Sequence, residues 1–284
     1  MQNLNVRRYG HGPKKIIGIH GWFGHEHSFD RLEEALDPAQ VECAWLALRG
    51  IGASRELAGE YSIAEMASDA LEAAWALGWD SFSIVGHSMG GKAALLAAAI
   101  APAAERVLAL APVPVRSEAF PPEVWRTFDG AADDRASRRS VISASLGERA
   151  PAYWVERLAE EAGERADPEV IRAYFHSWAG DDHTEAVRGC GVPTLAVVGE
   201  RDPSITDQSV SAEYSDLLTD WRVASIPGAG HYVLDEAPLQ VGTLVHDFLL
   251  GRGGVRGDGV RGGGGRGGGV RGGGEAPDAA EVTG

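Results

Sequence analysis

Apolar residues in the first 250 positions follow two alternating patterns, short continuous runs and longer stretches with a helical period. Continuous apolar runs are typical of buried strands, and they predict six strands, at 15–20, 41–48, 82–85, 107–111, 194–199 and 222–226. Stretches with i, i+3, i+4 spacing predict helices at 29–35, 63–77, 208–218 and 239–250. This alternation predicts an α/β fold, in which a mostly parallel sheet is covered by helices on both faces.

The alternation stops between Val113 and Val187, where helical patterns follow one another without a strand. The periodicity there predicts helices at 122–128, 133–145, 152–162 and 168–179. In the last of them, Val170, Tyr174 and Trp178 form a row at i, i+4 spacing. We expect residues 113–187 to form an all-helical cap over the strand ends, inserted into a core made of residues 1–112 and 188–250.

The composition changes abruptly at Gly251. Residues 251–274 contain 15 Gly, 5 Arg, 3 Val and one Asp. So little apolar surface cannot form a packed core, so we expect residues 251–284 to be a disordered Gly/Arg-rich tail. Its Arg-Gly repeats are similar to RNA-binding segments, but no aromatic residues alternate with them to stack on bases. A nucleic-acid partner is therefore the weaker expectation.

The composition of the whole chain predicts a soluble protein. The chain has 284 residues, of which 44% are hydrophobic, and a formal net charge of −15, which disfavours general nucleic-acid binding. The N-terminus has no signal-like apolar segment, and no apolar run is long enough to span a membrane. Cys43 and Cys190 lie far apart in apolar surroundings, where we expect them to be buried, inert and unpaired. We expect a cytoplasmic protein without a membrane partner.

Gly86–Gly91 is the most informative segment. It reads G-H-S-M-G-G and directly follows the apolar run 82–85. The pattern G-x-S-x-G between a strand and a helix predicts a nucleophile elbow with Ser88 at its tip. Gly86 and Gly90 would allow the sharp turn, and Lys92–Ile100 provides a helix whose N-terminus points at Ser88.

A serine nucleophile needs a base and an acid that orients the base, and other predicted strand ends provide both. His231 follows the last strand on a Gly-rich loop, and Asp202 follows the strand before it. Glu200 and Glu118 are the alternative acids. The order Ser88, Asp202, His231 predicts a catalytic triad. We expect the histidines elsewhere on loops and helices to be ordinary, namely His25, His27, His176 and His183.

Acyl transfer also needs an oxyanion hole with two N–H donors. The backbone N–H of Met89 is one candidate, and the backbone N–H of Trp22, on the Gly-rich loop after the first predicted strand, is the other. The Trp22 ring has either a packing role or a place in a substrate pocket. The other substrate-binding candidates are Trp125, Trp154 and Trp178. Histidines near this loop lack the further ligands of a metal site, so we expect no metal.

Five motifs together resemble those of the α/β-hydrolase family, in its capped, single-domain esterase form. They are H-G-W-F-G at 20–24, R-G-I-G-A-S at 49–54, G-H-S-M-G-G-K at 86–92, G-E-R-D-P at 199–203 and G-A-G-H-Y at 228–232. One departure is Ala47, where the family usually has an acidic residue. The resemblance implies a cofactor-free serine hydrolase in which Ser88 attacks a carbonyl and forms an acyl-enzyme.

The resemblance favours a carboxylesterase or lactonase that acts on a small molecule. Dehalogenases and epoxide hydrolases of this fold would have an aspartate in place of Ser88. Perhydrolases, carbon–carbon bond hydrolases and acyltransferases share the same residues and stay as alternatives. A non-catalytic ligand receptor is the alternative from another class, although binding alone requires neither a base nor an oxyanion loop.

Overall fold

The structure is a computed structural model, and it describes residues 4–251 and the backbone of residues 260–264. Its strands are β1 (Val6–Gly10), β2 (Lys14–Ile19), β3 (Val41–Leu46), β4 (Phe82–His87), β5 (Ala104–Leu110), β6 (Thr194–Gly199), β7 (Asp220–Ile226) and β8 (Val260–Gly264). In this part of the chain they form one sheet in the order β1-β3-β2-β4-β5-β6-β7-β8. Only the pairings of β1 with β3 and of β7 with β8 are antiparallel. The predicted mostly parallel α/β sheet is confirmed.

Helices cover both faces of the sheet. One face packs against α2 (Ile63–Ala76), α3 (Met89–Ile100) and α9 (Asp207–Leu217). The other face packs against α1 (Asp30–Glu33), α10 (Val233–Glu236), α11 (Pro238–Leu244) and the π-helical turn Val245–Leu249. Because both faces are covered, every residue of β4 and β6 is buried, which explains their continuous apolar sequences.

The start of α2 illustrates how local sequence sets these boundaries. The Ser62 hydroxyl accepts a hydrogen bond from the backbone N–H of Glu65 at 3.1 Å, as an N-cap should. The Glu65 carboxylate reaches the backbone N–H of Tyr61 at 2.8 Å. The helix therefore begins at Ile63, where the sequence predicts it.

The segment between β5 and β6 contains α4 (Pro122–Gly130), α5 (Arg135–Ser145), α6 (Ala152–Arg165), α7 (Pro168–Gly180) and α8 (Thr184–Val187). We call residues 113–187 the cap. α7 is joined to the core: the hydroxyl of Tyr174 donates to the carbonyl of Arg49 at 2.9 Å. The hydroxyl of Ser177 accepts from the backbone N–H of Ile63 at 2.8 Å. These bonds hold α7 against the core.

Both ends of the sheet carry a strand that the hydrophobic pattern did not predict. β1 lies at one edge of the sheet, where none of its five residues is fully buried, so it has no continuous apolar run. β8 lies within the expected disordered tail, and this expectation is wrong for its five residues. Strand pairing uses backbone groups, so Val260–Gly264 can pair with β7 without an apolar sequence. The rest of that expectation, at 252–259 and 265–284, lies outside the described residues.

None of the helices in the described residues combines the length and the apolar sequence that a membrane span requires.

The two cysteines differ in exposure. Cys43 and Cys190 are both free thiols, but only Cys43 is buried, whereas Cys190 is partly exposed. Burial raises the pKa of the Cys43 thiol, which disfavours the reactive thiolate.

Candidate active site

Ser88 lies at the tight turn between β4 and α3 with φ 55° and ψ −117°, a conformation that non-glycine residues rarely adopt. A Cβ atom on Gly86 would lie 2.1 Å from the Gly90 carbonyl oxygen. A Cβ atom on Gly90 would lie 2.2 Å from the Ile19 carbonyl oxygen. Only glycine fits at both positions, so the turn has the strained geometry that the motif predicts.

Ser88, His231 and Asp202 form one hydrogen-bonded chain. The Ser88 Oγ lies 3.0 Å from His231 Nε2. His231 Nδ1 lies 2.6 Å from Asp202 Oδ2. Because a carboxylate only accepts hydrogen bonds, the Nδ1 proton belongs to this bond, and Nε2 offers its lone pair to Ser88. This arrangement can move a proton from the Ser88 hydroxyl to the imidazole.

The carboxylate of Asp202 is held on both oxygens. Its Oδ1 accepts the backbone N–H groups of Ser204 and Ile205, each at 2.9 Å, and the residue is only 4% exposed. Burial on its own would raise the pKa of Asp202. The hydrogen bond and charge of His231, together with these two N–H groups, outweigh it and hold the pKa below its usual value. Asp202 is therefore an anion at neutral pH.

The two alternative acids lie elsewhere. The Glu200 carboxylate is exposed and accepts the backbone N–H of Gly228 at 2.9 Å. Glu118 lines the cavity described below, but it makes no hydrogen bond to His231 in the described part of the chain. Of the three acidic residues considered from the sequence, the structure brings Asp202 to His231.

His87 is a further part of this site that the sequence analysis did not single out. Its Nε2 lies 2.9 Å from the carbonyl oxygen of His231. Burial, followed by the nearby charge of His231, lowers the pKa of His87 to about 3. The ring is therefore neutral and donates its Nε2 proton to that carbonyl. The backbone N–H of His231 donates to the Ser145 carbonyl of the cap at 3.3 Å. The base is held from both sides, and the only sequence signal was the position of His87 before Ser88.

The loop after β2 lies directly against the turn at Ser88. A Cβ atom on Gly21 would lie 3.1 Å from the Ser88 Cβ. The loop closes with a hydrogen bond from the Gly24 N–H to the Gly21 carbonyl at 2.9 Å. Among the described residues, neither the backbone N–H of Trp22 nor that of Met89 donates to a protein acceptor. Both candidate oxyanion donors are therefore unpaired within the described chain.

The Trp22 side chain connects this loop to the cap. Its Nε1 donates to the Ile171 carbonyl on α7 at 2.9 Å. Its ring stacks on Phe23 at 4.0 Å between centroids and meets Trp178 edge-on at 6.0 Å. Trp22 also lines the cavity described below, and a place in a substrate pocket stays a prediction. The position of the loop therefore depends on the cap.

A cavity of about 640 Å³ lies between the cap and the ends of the strands, with Ser88 and His231 in its wall. Trp22 and Trp178 line it, together with Phe23, Phe120 and Phe128. The other two tryptophan candidates, Trp125 and Trp154, are not among the described residues that line this cavity. Trp125 packs against Phe175, with centroids 4.6 Å apart, and Trp154 packs edge-on against Tyr232 at 5.4 Å. Sequence periodicity places Trp125 and Trp154 on cap helices, but it does not tell which side of each helix faces the cavity.

The histidines near the first loop have other partners. His20 is fully buried, and burial lowers its pKa to about 4. His25 is also shifted down, to about 3, by burial and by the charge of Arg165. His27 lies 3.2 Å from Asp30. Within residues 4–251, no group of three or more His, Cys, Asp or Glu side chains is arranged to hold a metal ion.

Comparison with known proteins gives the family of this chain. The sequence model of the Alpha/beta hydrolase family matches residues 16–242. The chain is 30% identical over 187 residues to the N-formylmaleamate deformylase of Pseudomonas putida, a match that covers 61% of this chain and 65% of that protein. It is 26% identical over 273 residues to the fluoroacetate dehalogenase of a Burkholderia species, covering 84% of this chain and 88% of that protein.

A solved structure has the same fold. An esterase from Exiguobacterium antarcticum matches with a TM-score of 0.77 at 16% sequence identity, covering 87% of this chain and 95% of that one. The chain spans only 32% and 65% of the lengths of the first two curated relatives it matches. The family match covers more than half of the chain, and the fold agrees with it. This chain therefore belongs to the alpha/beta hydrolase family of enzymes.

Proposed function

We propose that this protein is a serine hydrolase of the carboxylesterase type, which cleaves a small ester or lactone through an acyl-enzyme. The single observation that carries the proposal is the hydrogen-bonded chain from Ser88 to His231 to Asp202 in the wall of a cavity. In the proposed mechanism Ser88 is the nucleophile, His231 is the general base and acid, and Asp202 orients His231.

Acylation begins when the Ser88 oxygen attacks the substrate carbonyl carbon and its proton passes to His231 Nε2. The imidazolium that forms lies 2.6 Å from the buried Asp202 anion, which stabilises its charge. His231 then gives the proton to the leaving alkoxide, the ester bond breaks, and the acyl group stays on Ser88. In deacylation, a water molecule attacks the acyl-enzyme and gives its proton to His231. His231 then returns a proton to Ser88, and the carboxylic acid is released.

The backbone N–H groups of Trp22 and Met89 would stabilise the oxyanion. Both groups are unpaired within the described chain, and Met89 is the first residue of α3, whose positive dipole end faces Ser88. Donors that already point at the developing charge need no reorganisation, and removing one such donor typically slows an enzyme by about 10²–10³-fold. Pairing with Ile171 through the Trp22 ring would keep this loop in place.

The cavity supports a small substrate with an apolar group. Its volume of about 640 Å³ lies in the range of small-molecule sites. Its aromatic residues, Trp22, Phe120, Phe128 and Trp178, favour an aromatic or branched alkyl group. Short-chain and aryl esters are therefore the preferred substrates of this proposal.

Other reactions use the same residues and define the range of substrates to be tested. A relative is named as an N-formylmaleamate deformylase, so small amides belong among the candidates. Perhydrolysis, carbon–carbon bond hydrolysis and acyl transfer also proceed from a serine and a histidine. The similarity to a fluoroacetate dehalogenase does not favour dehalogenation as the function of this protein. Carbon–halogen displacement in this fold would require an aspartate at the position of Ser88.

The test is a panel of p-nitrophenyl esters, lactones and small amides with the wild-type protein and Ser88→Ala. We expect short-chain ester hydrolysis that falls by about 10⁴-fold or more in Ser88→Ala, because the variant has no nucleophile. Ser117→Ala is the matched control, since Ser117 lines the same cavity and makes no hydrogen bond within the described residues. Equal activity in the two variants would reject Ser88 as the nucleophile, and no turnover on any substrate would favour a ligand receptor.

A further inference from the structure

Lys92 is a buried charge that the proposed mechanism does not use. It lies in the first turn of α3, four residues after Ser88, and has no exposed surface. A buried ammonium group is unfavourable unless its three N–H donors are satisfied. Its partners therefore indicate what it does.

Three backbone carbonyls surround the Lys92 ammonium. Nζ donates to the carbonyls of Arg116 at 3.2 Å, Trp178 at 2.9 Å and Asp181 at 2.7 Å. Burial lowers the pKa of Lys92 to about 8, while nearby acidic side chains, first of all Asp181, act in the opposite direction. The ammonium form therefore predominates at neutral pH, with one donor for each carbonyl.

The three carbonyls belong to the two segments of the cap where its helices α4 to α7 begin and end. We call residues 113–118, with which the cap begins, the outgoing hinge. We call residues 177–183, which contain the last turn of α7 and the turn before α8, the returning hinge. The two hinges also bond to each other: the Glu118 N–H donates to Ala179 at 2.7 Å, and the His183 N–H donates to Val115 at 3.1 Å. Lys92 thus joins both hinges to the helix that begins directly after Ser88.

The same hinges form part of the cavity wall. The side chains of Arg116 and Trp178, whose carbonyls Lys92 holds, both line the cavity. Trp178 also meets the ring of Trp22 on the oxyanion loop. A shift of the hinges relative to α3 would therefore change the cavity without altering the bonds between Ser88, His231 and Asp202.

We propose that Lys92 is a positioning residue that clamps both cap hinges to the nucleophile helix and so sets the cavity wall. The clamp itself is independent of the reaction, whereas its kinetic consequence rests on the proposed ester hydrolysis. An unbranched apolar residue of similar length at this position would fill the space but release the three carbonyls.

The test compares Lys92→Met with Arg138→Met by hydrogen exchange of backbone amides. Arg138 is a matched control because it is also a buried cation that donates to three carbonyls, those of Ala131, Ala132 and Ala159, but all three lie inside the cap. We expect Lys92→Met to speed exchange at the Glu118 and His183 amides about tenfold or more. We expect Arg138→Met to loosen α5 and α6 and to leave those two amides within about twofold of wild type.

Steady-state kinetics provide a second measurement, because a general loss of stability would not change the KM of the folded enzyme. If the hinges hold the wall in place only about a tenth of the time, the KM of a bulky aryl ester rises about tenfold. We expect kcat to stay within about threefold, since the Ser88 to Asp202 chain is intact and the oxyanion loop keeps the bond from the Trp22 ring to Ile171.

Two results would overturn the clamp. One is exchange at Glu118 and His183 that is no faster in Lys92→Met than in Arg138→Met. The other is a fall in kcat with KM unchanged, which would assign Lys92 to the chemical step. If Lys92→Met does not fold, Lys92→Gln replaces it, because the glutamine side chain keeps two of the three N–H donors. The Glu118 and His183 amides of that variant must exchange faster than those of wild type. If they do not, the clamp is rejected. The exchange readout decides about the clamp even if no ester is hydrolysed.

Discussion

Ser88 combines two features in one residue, a position in the wall of the cavity and an unusual backbone conformation. Its φ of 55° aims the side chain away from both β4 and α3, where His231 reaches it at 3.0 Å. His231 in turn is fixed through its ring by Asp202 and through its backbone by His87 and Ser145. At the scale of single residues, the site is therefore preorganised around the base rather than around the nucleophile alone.

The role of Asp202 leads to a prediction about Asp202→Asn. The amide is nearly isosteric but stabilises the wrong tautomer of His231, so we expect kcat to fall by about 10⁴-fold with little change in KM. Glu200→Gln on the same loop is the control, because the Glu200 carboxylate bonds to Gly228 and not to His231. Steady-state kinetics on a p-nitrophenyl ester decide between them, and a larger loss in Glu200→Gln would assign the acid to Glu200.

The sequence predicted these residues because their positions follow from the fold. Ser88, Asp202 and His231 each follow a strand of the parallel part of the sheet, and parallel strands end at the same edge of a sheet. The supporting contacts could not be predicted in this way. His87 to His231 and Ser145 to His231 depend on loop conformation and on how the cap sits, which leave no periodic signal.

Elements meet at the turn between β4 and α3 with almost no free space. Gly90 faces the carbonyls of Ile19 and His20 at the end of β2, at distances where a Cβ atom would collide. The small residues at the start of α3 therefore let the nucleophile turn lie against the strand that carries the oxyanion loop. The geometry of the site depends on this close packing of β2 against α3.

The close packing predicts different effects for alanine at two glycines. Gly90→Ala places a Cβ atom 2.2 Å from the Ile19 carbonyl oxygen, so we expect a loss of about 2 kcal/mol or more in the free energy of unfolding. Gly180→Ala, at the end of α7, meets nothing within 4 Å and should change stability by less than about 1 kcal/mol. Urea denaturation measures both changes. Equal stability of the two variants would mean that the turn is less tightly packed than described.

The predicted strands and helices differ from the observed ones where the residues are incompletely buried. The buried strands β4 and β6 have clear apolar runs, whereas the edge strand β1 has two arginines in five residues and was missed. The first helix is predicted over seven residues but is observed only at Asp30–Glu33. Hydrophobic patterns report burial, so they fail at edges and in short connections.

Across the whole molecule, buried neutral histidines couple folding to pH. Burial lowers the pKa of His20 to about 4 and that of His87 to about 3. Above the unfolded pKa of about 6.5, each ring is neutral in both states and contributes no pH dependence. As the pH falls below that value, the unfolded chain gains a proton at each ring that the native protein does not, so the native state loses stability towards the folded pKa.

This linkage predicts the effect of His87→Gln, which removes the titrating ring but keeps an N–H donor. Between pH 6 and 4.5, we expect the free energy of unfolding of the variant to fall less steeply than that of wild type, by about 1.4 kcal/mol per pH unit. His11→Gln, at an exposed position, is the control and should leave the slope unchanged. Urea denaturation at several pH values measures the slopes, and parallel curves for wild type and His87→Gln would reject a buried neutral His87.

The central claim is that Ser88 is an activated nucleophile, and a fluorophosphonate label tests it most directly. The reagent needs an activated serine but no knowledge of the substrate. We predict a single adduct per chain at pH 7.5, on the peptide that contains Ser88, and no adduct in Ser88→Ala or after prior heat denaturation. Absence of an adduct on native wild-type protein, or an adduct that persists in Ser88→Ala, would contradict the assignment.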